Sequence, residues 1–118
     1  MSAKRVLLIV RKPPGVTPDA WEALRFALSL YAADAPVTVA LEGLGVFNCV
    51  LGIPEPTSAY STQRFIHDLE SYGVSSYVVR EDLMTYLASD AVQSTHARPI
   101  SRKELAMLVA DHDVTIAF

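Results

Sequence analysis

The residue best suited to covalent chemistry in this chain is Cys49, the only cysteine among 118 residues. It lies in the segment Leu44–Thr57, LGVFNCVLGIPEPT, just after an apolar run that predicts a buried strand. A reactive thiol needs its pKa lowered by a nearby cation or a helix N-terminus, yet residues 42–60 contain no lysine or arginine. Because free cysteine often packs as a small hydrophobe, we expect Cys49 to be an inert core or interface residue. A sulfur-carrying thiol is the alternative.

Basic side chains at two predicted strand ends offer a second kind of chemistry, the binding of a small anion. Arg11 and Lys12 follow the first apolar run, and Arg80 follows a later one. Ligands of open parallel sheets bind beyond the carboxyl ends of the strands. The segment 11–19, RKPPGVTPD, has no glycine-rich phosphate motif, and its prolines lack N–H donors. We therefore predict solvated charges at Arg11 and Lys12. The alternatives are an anion site that includes Arg80, or an approach of these cations to Cys49.

Histidines, acids and serines form no recognisable catalytic or metal-binding pattern. His67, His96 and His112 lie far apart, and none belongs to a His-x-x-x-His or Cys-x-x-Cys sequence. A Gly-x-Ser-x-Gly nucleophile elbow is absent. Asp111 and Asp113 flank His112, but they precede the last predicted strand, at the end of a sheet where catalytic loops are not expected. We predict a solvated turn there, no metal site and no cofactor.

The elements that position these residues are predicted from apolar runs that do not alternate with polar residues. Such runs are typical of strands buried on both faces, as in parallel sheets covered by helices. They span residues 6–10, 37–41, 76–79 and 114–118. Helical patterns lie between them, and this alternation indicates a parallel sheet. We predict a three-layer α/β/α sandwich with a mainly parallel sheet of about five strands, in a single domain over residues 1–118.

Helix boundaries are predicted from capping and turn residues. Thr17 is the predicted N-cap of the first helix, and Pro18 is its first residue. The apolar face of this helix is predicted at Trp21, Leu24, Leu28 and Tyr31. Residues 45–50 predict a short helical turn and residues 89–99 a loop. The segment Ser101–Glu104, SRKE, has the spacing of a capping box, which begins the last helix.

Composition limits the remaining classes of function. The net charge is −3 and basic residues do not cluster, so nucleic-acid binding is not expected. The first apolar run is too short for a membrane span or a signal peptide, and we expect a cytoplasmic protein. Hydrophobic residues make up 51% of the chain, which is high for a small domain and predicts an oligomer. Phe47 and Tyr60, on either side of the proline-containing segment, are the predicted subunit contacts.

Four segments resemble the DsrE/DsrF-like family and are most similar to its DsrF/TusC branch. They are VLLIVRKPPG at 6–15, GVFNCVLG at 45–52, YVVREDLMTYL at 77–87 and RKELAMLVADHDVTIAF at 102–118. Their order and spacing follow the branch along nearly the whole chain. The resemblance implies a DsrEFH-like fold and a part in sulfur relay, in which persulfide sulfur passes toward tRNA thiolation or cytoplasmic sulfur oxidation.

The resemblance also implies partners and a division of labour among them. Subunits of the DsrF/TusC type assemble with DsrE/TusD-like and DsrH/TusB-like chains into a hexamer. The sulfur-carrying cysteine belongs to the DsrE/TusD-type chain, and the matching positions here are Val79 and Arg80, neither of which is a thiol. We therefore expect a non-catalytic subunit that supports assembly and access to a partner's cysteine. A persulfide carrier using Cys49, and a stand-alone homo-oligomer with an anion near Arg11 and Lys12, are the alternatives.

Overall fold

The structure, a computed structural model, describes residues 4–15, 17–49, 61–87 and 97–118. Its elements are β1 (Val6–Val10), α1 (Asp19–Ala32), β2 (Val37–Leu41), a 3-10 helix (Gly43–Asn48), α2 (Thr62–Ser71), β3 (Ser75–Val79), α3 (Arg80–Tyr86), β4 (Arg98–Ile100), α4 (Arg102–Asp111) and β5 (Val114–Ala117). The five strands form one sheet in the order β4-β3-β2-β1-β5. Every neighbouring pair is parallel, so the predicted fold class is confirmed.

Strand β1 lies in the interior of the sheet, and all five of its residues are buried. Val6 pairs with Val37 of β2 on one side and with Val114 of β5 on the other. Successive side chains of a strand point to opposite faces, so an unbroken apolar run serves a sheet that is covered on both sides. This agreement explains why the non-alternating pattern identified the strand.

Helices α1 and α2 cover one face of the sheet, called the α1/α2 face below. On this face the side chains of Leu8 and Val10 pack in one core with those of both helices. The residues of α1 that enter the core are Ala20, Ala23, Leu24 and Ala27. Leu28 and Tyr31, which were predicted there, are 38% and 41% exposed, so that prediction is wrong. A row of alanines lets the helix axis lie close to the sheet and turns the larger side chains outward.

Two further differences concern where elements begin. Pro18 is the N-cap of α1 and not its first residue, and the backbone N–H of Asp19 lies 3.3 Å from Thr17 Oγ1. Strand β4 occupies the end of the predicted loop 89–99. With only three residues, β4 is too short to show a hydrophobic period.

The opposite face of the sheet, called the α4 face below, is covered within the described residues by α4. Leu105 and Leu108 pack there against Leu7, Ile9 and neighbouring strand residues. The predicted capping box is present: Ser101 Oγ accepts from the backbone N–H of Glu104, and Glu104 accepts from that of Ser101. The hydrogen bond from the Ser101 backbone N–H is the largest cause of the lowered pKa of Glu104, and a hydrogen bond from the Ser101 side chain lowers it further.

Candidate functional site

The candidate site lies at the carboxyl edge of the sheet, where charged residues follow four neighbouring strands. Arg11 follows β1, Glu42 follows β2, Asp82 lies in α3 just after β3, and Arg102 begins α4 after β4. Arg11 Nε donates to Glu42 at 2.7 Å, and Arg102 lies 3.4 Å from the other oxygen of Glu42. Arg102 also donates to the carboxylate of Asp82. A chain of ion pairs therefore joins the four strand ends.

Glu81, the residue before Asp82 in α3, also binds the first residue of α4. Both of its carboxylate oxygens lie 3.0 Å from the backbone nitrogen of Arg102. This hydrogen bond is the main reason that the pKa of Glu81 is lowered. The carboxylate of Asp82 raises the pKa of the Arg102 guanidinium in turn. Two consecutive acids of α3 thus fix the start of α4.

Two glycines allow the 3-10 helix to lie directly on the end of β1. Gly43 has a φ of +58°, in the left-handed region that favours glycine, and its N–H donates to Asp82 Oδ2 at 2.6 Å. A Cβ added at Gly45 would lie 2.0 Å from the carbonyl oxygen of Val10. This close approach explains why position 45, which begins the Gly-Val-Phe sequence, is a glycine.

Asn48 is a fully buried polar residue at the end of this helix. Its Nδ2 donates to the carbonyl oxygens of Lys12 at 2.8 Å and Gly45 at 2.9 Å, while its Oδ1 has no partner in the described part of the chain. The amide therefore ties the segment after β1 to the segment after β2. The signal for it in the sequence was a lone amide inside the apolar stretch GVFNCV.

Cys49 is fully buried next to this amide, in the core of the α1/α2 face. Its Sγ lies 3.4 Å from the carbonyl oxygen of Val46, at hydrogen-bonding distance. Packing of this kind is what the sequence predicted for the residue. Its lack of reactivity stays a prediction.

The end of β3, where the resemblance places a carrier's cysteine, holds Val79 and Arg80. Val79 is fully buried and faces the α4 side, where it packs with Ile9 and Ile100. Arg80 is exposed and begins α3. Neither residue has an atom that could carry sulfur.

The three predicted anion-binding cations are placed differently from one another. The guanidinium of Arg11 is paired with Glu42. Lys12 is exposed and contributes its carbonyl oxygen to Asn48. The charge of Arg80 contributes to the lowered pKa of Glu104. An anion at this edge would compete with Glu42 for Arg11, and the site stays a prediction.

Of the two predicted subunit contacts, Phe47 is half-buried, and Tyr60 lies outside the described residues. The ring of Phe47 lies 6.2 Å from that of Tyr86 on α3. The 3-10 helix and α3 also expose Leu44 and Met84. These four residues, Leu44, Phe47, Met84 and Tyr86, are called the edge patch below.

The residues of the Asp111–Asp113 triplet form hydrogen bonds with other elements, and the prediction of a solvated turn is wrong for His112. His112 Nδ1 donates to the carbonyl oxygen of Leu108 at 2.6 Å, and Nε2 lies 3.0 Å from Thr38 Oγ1. Asp113 accepts from the backbone N–H of Arg5 at 2.7 Å. The triplet anchors the end of α4 to the sheet. This role depends on tertiary contacts and could not be predicted from the sequence.

Residues that sequence reasoning missed are Glu42, Asp82 and Arg102, which build the ion-pair chain. The sequence shows their charges just after the ends of strands, but it does not show that these strands are neighbours. Among the residues described, no group of three or more His, Cys, Asp or Glu side chains is placed to hold a metal ion. The helices seen in the described ranges are all too short or too polar to span a membrane.

Comparison with known proteins identifies the fold and the sequence family. The family model described as DsrE/DsrF-like matches residues 4–118. The crystal structure of the ychN protein from E. coli superposes with a TM-score of 0.84 at 16% identity, covering 98% of this chain and 99% of that one. A conserved protein of unknown function from Bacteroides thetaiotaomicron gives a TM-score of 0.68 at 10% identity, over 96% and 94% of the two chains. No curated protein sequence matches this chain. At these identities the two structures show a common fold.

Proposed function

The chain belongs to the DsrE/DsrF-like family, and from this membership we propose that it is a sulfur-relay subunit that carries no sulfur on its own thiol. Its role is that of a DsrF/TusC-like subunit, which assembles with sulfur-carrying and accessory chains of the DsrE/TusD and DsrH/TusB types. It shapes the approach to a partner's cysteine. The proposal extends to persulfide transfer for tRNA thiolation or for cytoplasmic sulfur oxidation.

The observation that carries the proposal is the complete burial of Cys49. Sulfur transfer proceeds by attack of a thiolate on another sulfur atom, so both atoms must come into contact. A thiol with no exposed surface cannot meet a donor without local unfolding of the core around it. The sole cysteine of the chain is therefore unsuited to accept and pass on sulfur while the protein is folded.

The carboxyl edge supports the assembly role. The ion-pair chain through Arg11, Glu42, Arg102 and Asp82 fixes four strand ends relative to one another. Beside it, the edge patch exposes large apolar side chains, among them Met84 at 57%. A rigid polar frame next to an apolar patch is typical of protein interfaces, where an apolar centre is surrounded by a polar rim.

The test is to expose the folded protein to a persulfide donor, such as a cysteine desulfurase with free cysteine, and to measure its intact mass. We expect no added sulfur on the folded chain. The same treatment of folded Met84→Cys, which places a thiol at a position that is 57% exposed, should add sulfur and so show that the donor is active. Sulfur added to the folded chain would overturn the proposal and assign carriage to Cys49.

A second experiment tests the proposed assembly with partner chains. Native mass spectrometry of the untagged protein from its host should show it in a complex with a chain that carries a persulfide. An Asp substitution at Met84 in the edge patch should weaken that complex, because an interface centre tolerates a charge poorly. A protein that is never found with another chain would contradict this role.

A further inference from the structure

A groove of about 640 Å³ lies beside α4 on the α4 face, over the flank of the sheet that β3 and β4 form. A sheet of five strands is roughly 19 Å wide at about 4.8 Å per strand spacing, whereas packed helices lie about 8–10 Å apart. Among the described residues α4 alone packs on this face, and one helix is too narrow to cover it. Pockets of about 300–1,000 Å³ are typical of small-molecule sites, so the groove has the size of a binding site.

The floor and one wall of the groove are apolar. Tyr77 of β3 and Ile100 of β4 form the floor, and Met107 and Leu108 of α4 form the wall. Ile100 is buried and packs in one cluster with Leu108, whereas Met107 is 64% exposed. Aromatic rings and thioethers both make favourable contacts with an aromatic ring. The groove therefore suits a ligand with a large apolar side chain, an aromatic one above all.

Arg98 places a cation next to this apolar surface. It pairs in register with Tyr77, and because side chains alternate along a strand, it lies on the same face of the sheet as Ile100. Its guanidinium forms no hydrogen bond or ion pair with any residue that the structure describes. A planar guanidinium can bind a carboxylate through two parallel hydrogen bonds. The groove thus contains a carboxylate-binding group that the described part of the chain leaves unused.

Two acids also line the groove, and only one of them is paired with a cation. Asp111 forms an ion pair with Arg5 at 3.0 Å, whereas Glu104 has no such partner in the described ranges. Hydrogen bonds from Ser101 are the main cause of the lowered pKa of Glu104, and nearby cations, among them Arg98, lower it further. Glu104 is therefore ionised at neutral pH. Arg98 and Glu104 influence each other across the groove without forming an ion pair.

From this arrangement we infer that the groove binds a free α-amino acid with a large apolar side chain. Arg98 binds its carboxylate, Glu104 binds its ammonium group, and its side chain lies on Tyr77 and Met107. A zwitterion matches the groove because it gives a partner to both unpaired charges, whereas a ligand with a single charge leaves one of them without a partner. A dianion such as a phosphate ester is disfavoured, since Glu104 and Asp111 would both repel it.

This site goes beyond the proposed function and does not depend on it. Cys49 packs in the core of the α1/α2 face, on the other side of the sheet from the groove. Binding of an amino acid beside α4 requires neither sulfur chemistry nor a partner chain.

The test is a titration of the isotope-labelled protein with three matched probes, followed by amide NMR spectra. L-phenylalanine carries both charged groups, hydrocinnamate lacks the ammonium group, and phenethylamine lacks the carboxylate. We expect phenylalanine to bind with a Kd of about 1 mM and to shift the amide signals of Tyr77, Arg98 and Met107. Each analogue should bind at least about fivefold more weakly, because it loses one charge-assisted contact.

Two variants assign the charged contacts. Arg98→Gln should bind phenylalanine no more tightly than phenethylamine, and Glu104→Gln should bind it no more tightly than hydrocinnamate. Glutamine at position 104 retains the capping box, which accepts Glu or Gln there, so the start of α4 is preserved. Arg25→Gln changes an exposed arginine of α1 on the opposite face and should leave all three affinities unchanged.

Three results would overturn the inference. The first is the absence of saturable phenylalanine binding up to about 10 mM. The second is a set of shifted signals that lies outside the groove, and the third is a native preference for phenylalanine that persists in both variants. None of these results affects the intact-mass test of the proposed function, because that test measures sulfur on a thiol of the other face.

Discussion

The carboxylate of Asp82 joins three elements, because one oxygen accepts from the N–H of Gly43 at 2.6 Å and the other from the guanidinium of Arg102. The acid is buried and lies between the turn after β2 and the start of α4. No other charged residue in the described ranges is buried. The carboxyl edge of the sheet should therefore be sensitive to changes at this position.

Replacing Asp82 by Ala should lower the free energy of unfolding by about 2–4 kcal/mol, because a backbone N–H and a guanidinium lose their acceptor together. Urea unfolding followed by circular dichroism gives the value. Glu70→Ala on α2 is the control, since Glu70 is exposed and its loss removes the same charge. Equal effects of the two substitutions would show that the ion-pair chain contributes nothing to stability.

Gly45→Ala should be severely destabilising, by roughly 3 kcal/mol or more, because the new Cβ would collide with the backbone of Val10. Gly73→Ala is the matched comparison. Gly73 has open space around it but a φ of +96°, so its substitution should cost only about 1 kcal/mol of backbone strain. Thermal unfolding of the two variants should give this order. The reverse order would mean that the 3-10 helix can move away from β1 without penalty.

Acid should weaken the start of α4 through Glu81, whose pKa is lowered by the hydrogen bond from the Arg102 backbone. A carboxyl with a lower pKa in the folded state stabilises that state above its unfolded pKa, near 4.3. The contribution is lost as the pH falls below that value through the lowered pKa. The melting temperature of Glu81→Gln should therefore change less than that of the native chain between neutral pH and about pH 3. Glu70→Gln serves as the charge control, and a native slope in Glu81→Gln would contradict the assignment.

Alkylation of Cys49 should be slow in the folded protein and should accelerate with denaturant in parallel with unfolding, since the thiol is buried. An alkylating reagent followed by mass spectrometry at neutral pH measures the rate. Met84→Cys supplies an internal standard, because its side chain replaces one that is 57% exposed. If the native thiol reacts as quickly as the one introduced at position 84, the residue is accessible and the packing argument fails.

The strands could be predicted from the sequence because their apolar runs are long enough to exclude other readings. The helical face of α1 could be predicted only in part: Leu24 is buried as predicted, but Leu28 and Tyr31 gave a stronger pattern than the weakly hydrophobic alanines that pack on the sheet. Which side faces the sheet depends on how closely the helix packs, and this is a tertiary property. Strand β4 was missed because three residues carry too little pattern.

The features of the candidate site could likewise be predicted only in part. The burial of Cys49 agrees with what its apolar neighbours predicted. The links among Glu42, Asp82 and Arg102 could not be predicted, because they depend on strand order, which places four distant segments at adjacent positions. The sequence shows these charged residues, but it does not show that they lie next to one another in the fold.

The position of β1 between β2 and β5 has a consequence for synthesis on the ribosome. Val6 pairs with Val114, so one side of the first strand has no partner until the last strand has emerged. Until then the nascent chain carries an apolar, unpaired strand edge, and such edges invite aggregation. The β1–β5 ladder cannot form before β5 has been synthesised, and this order favours binding of a chaperone to the growing chain until that ladder forms.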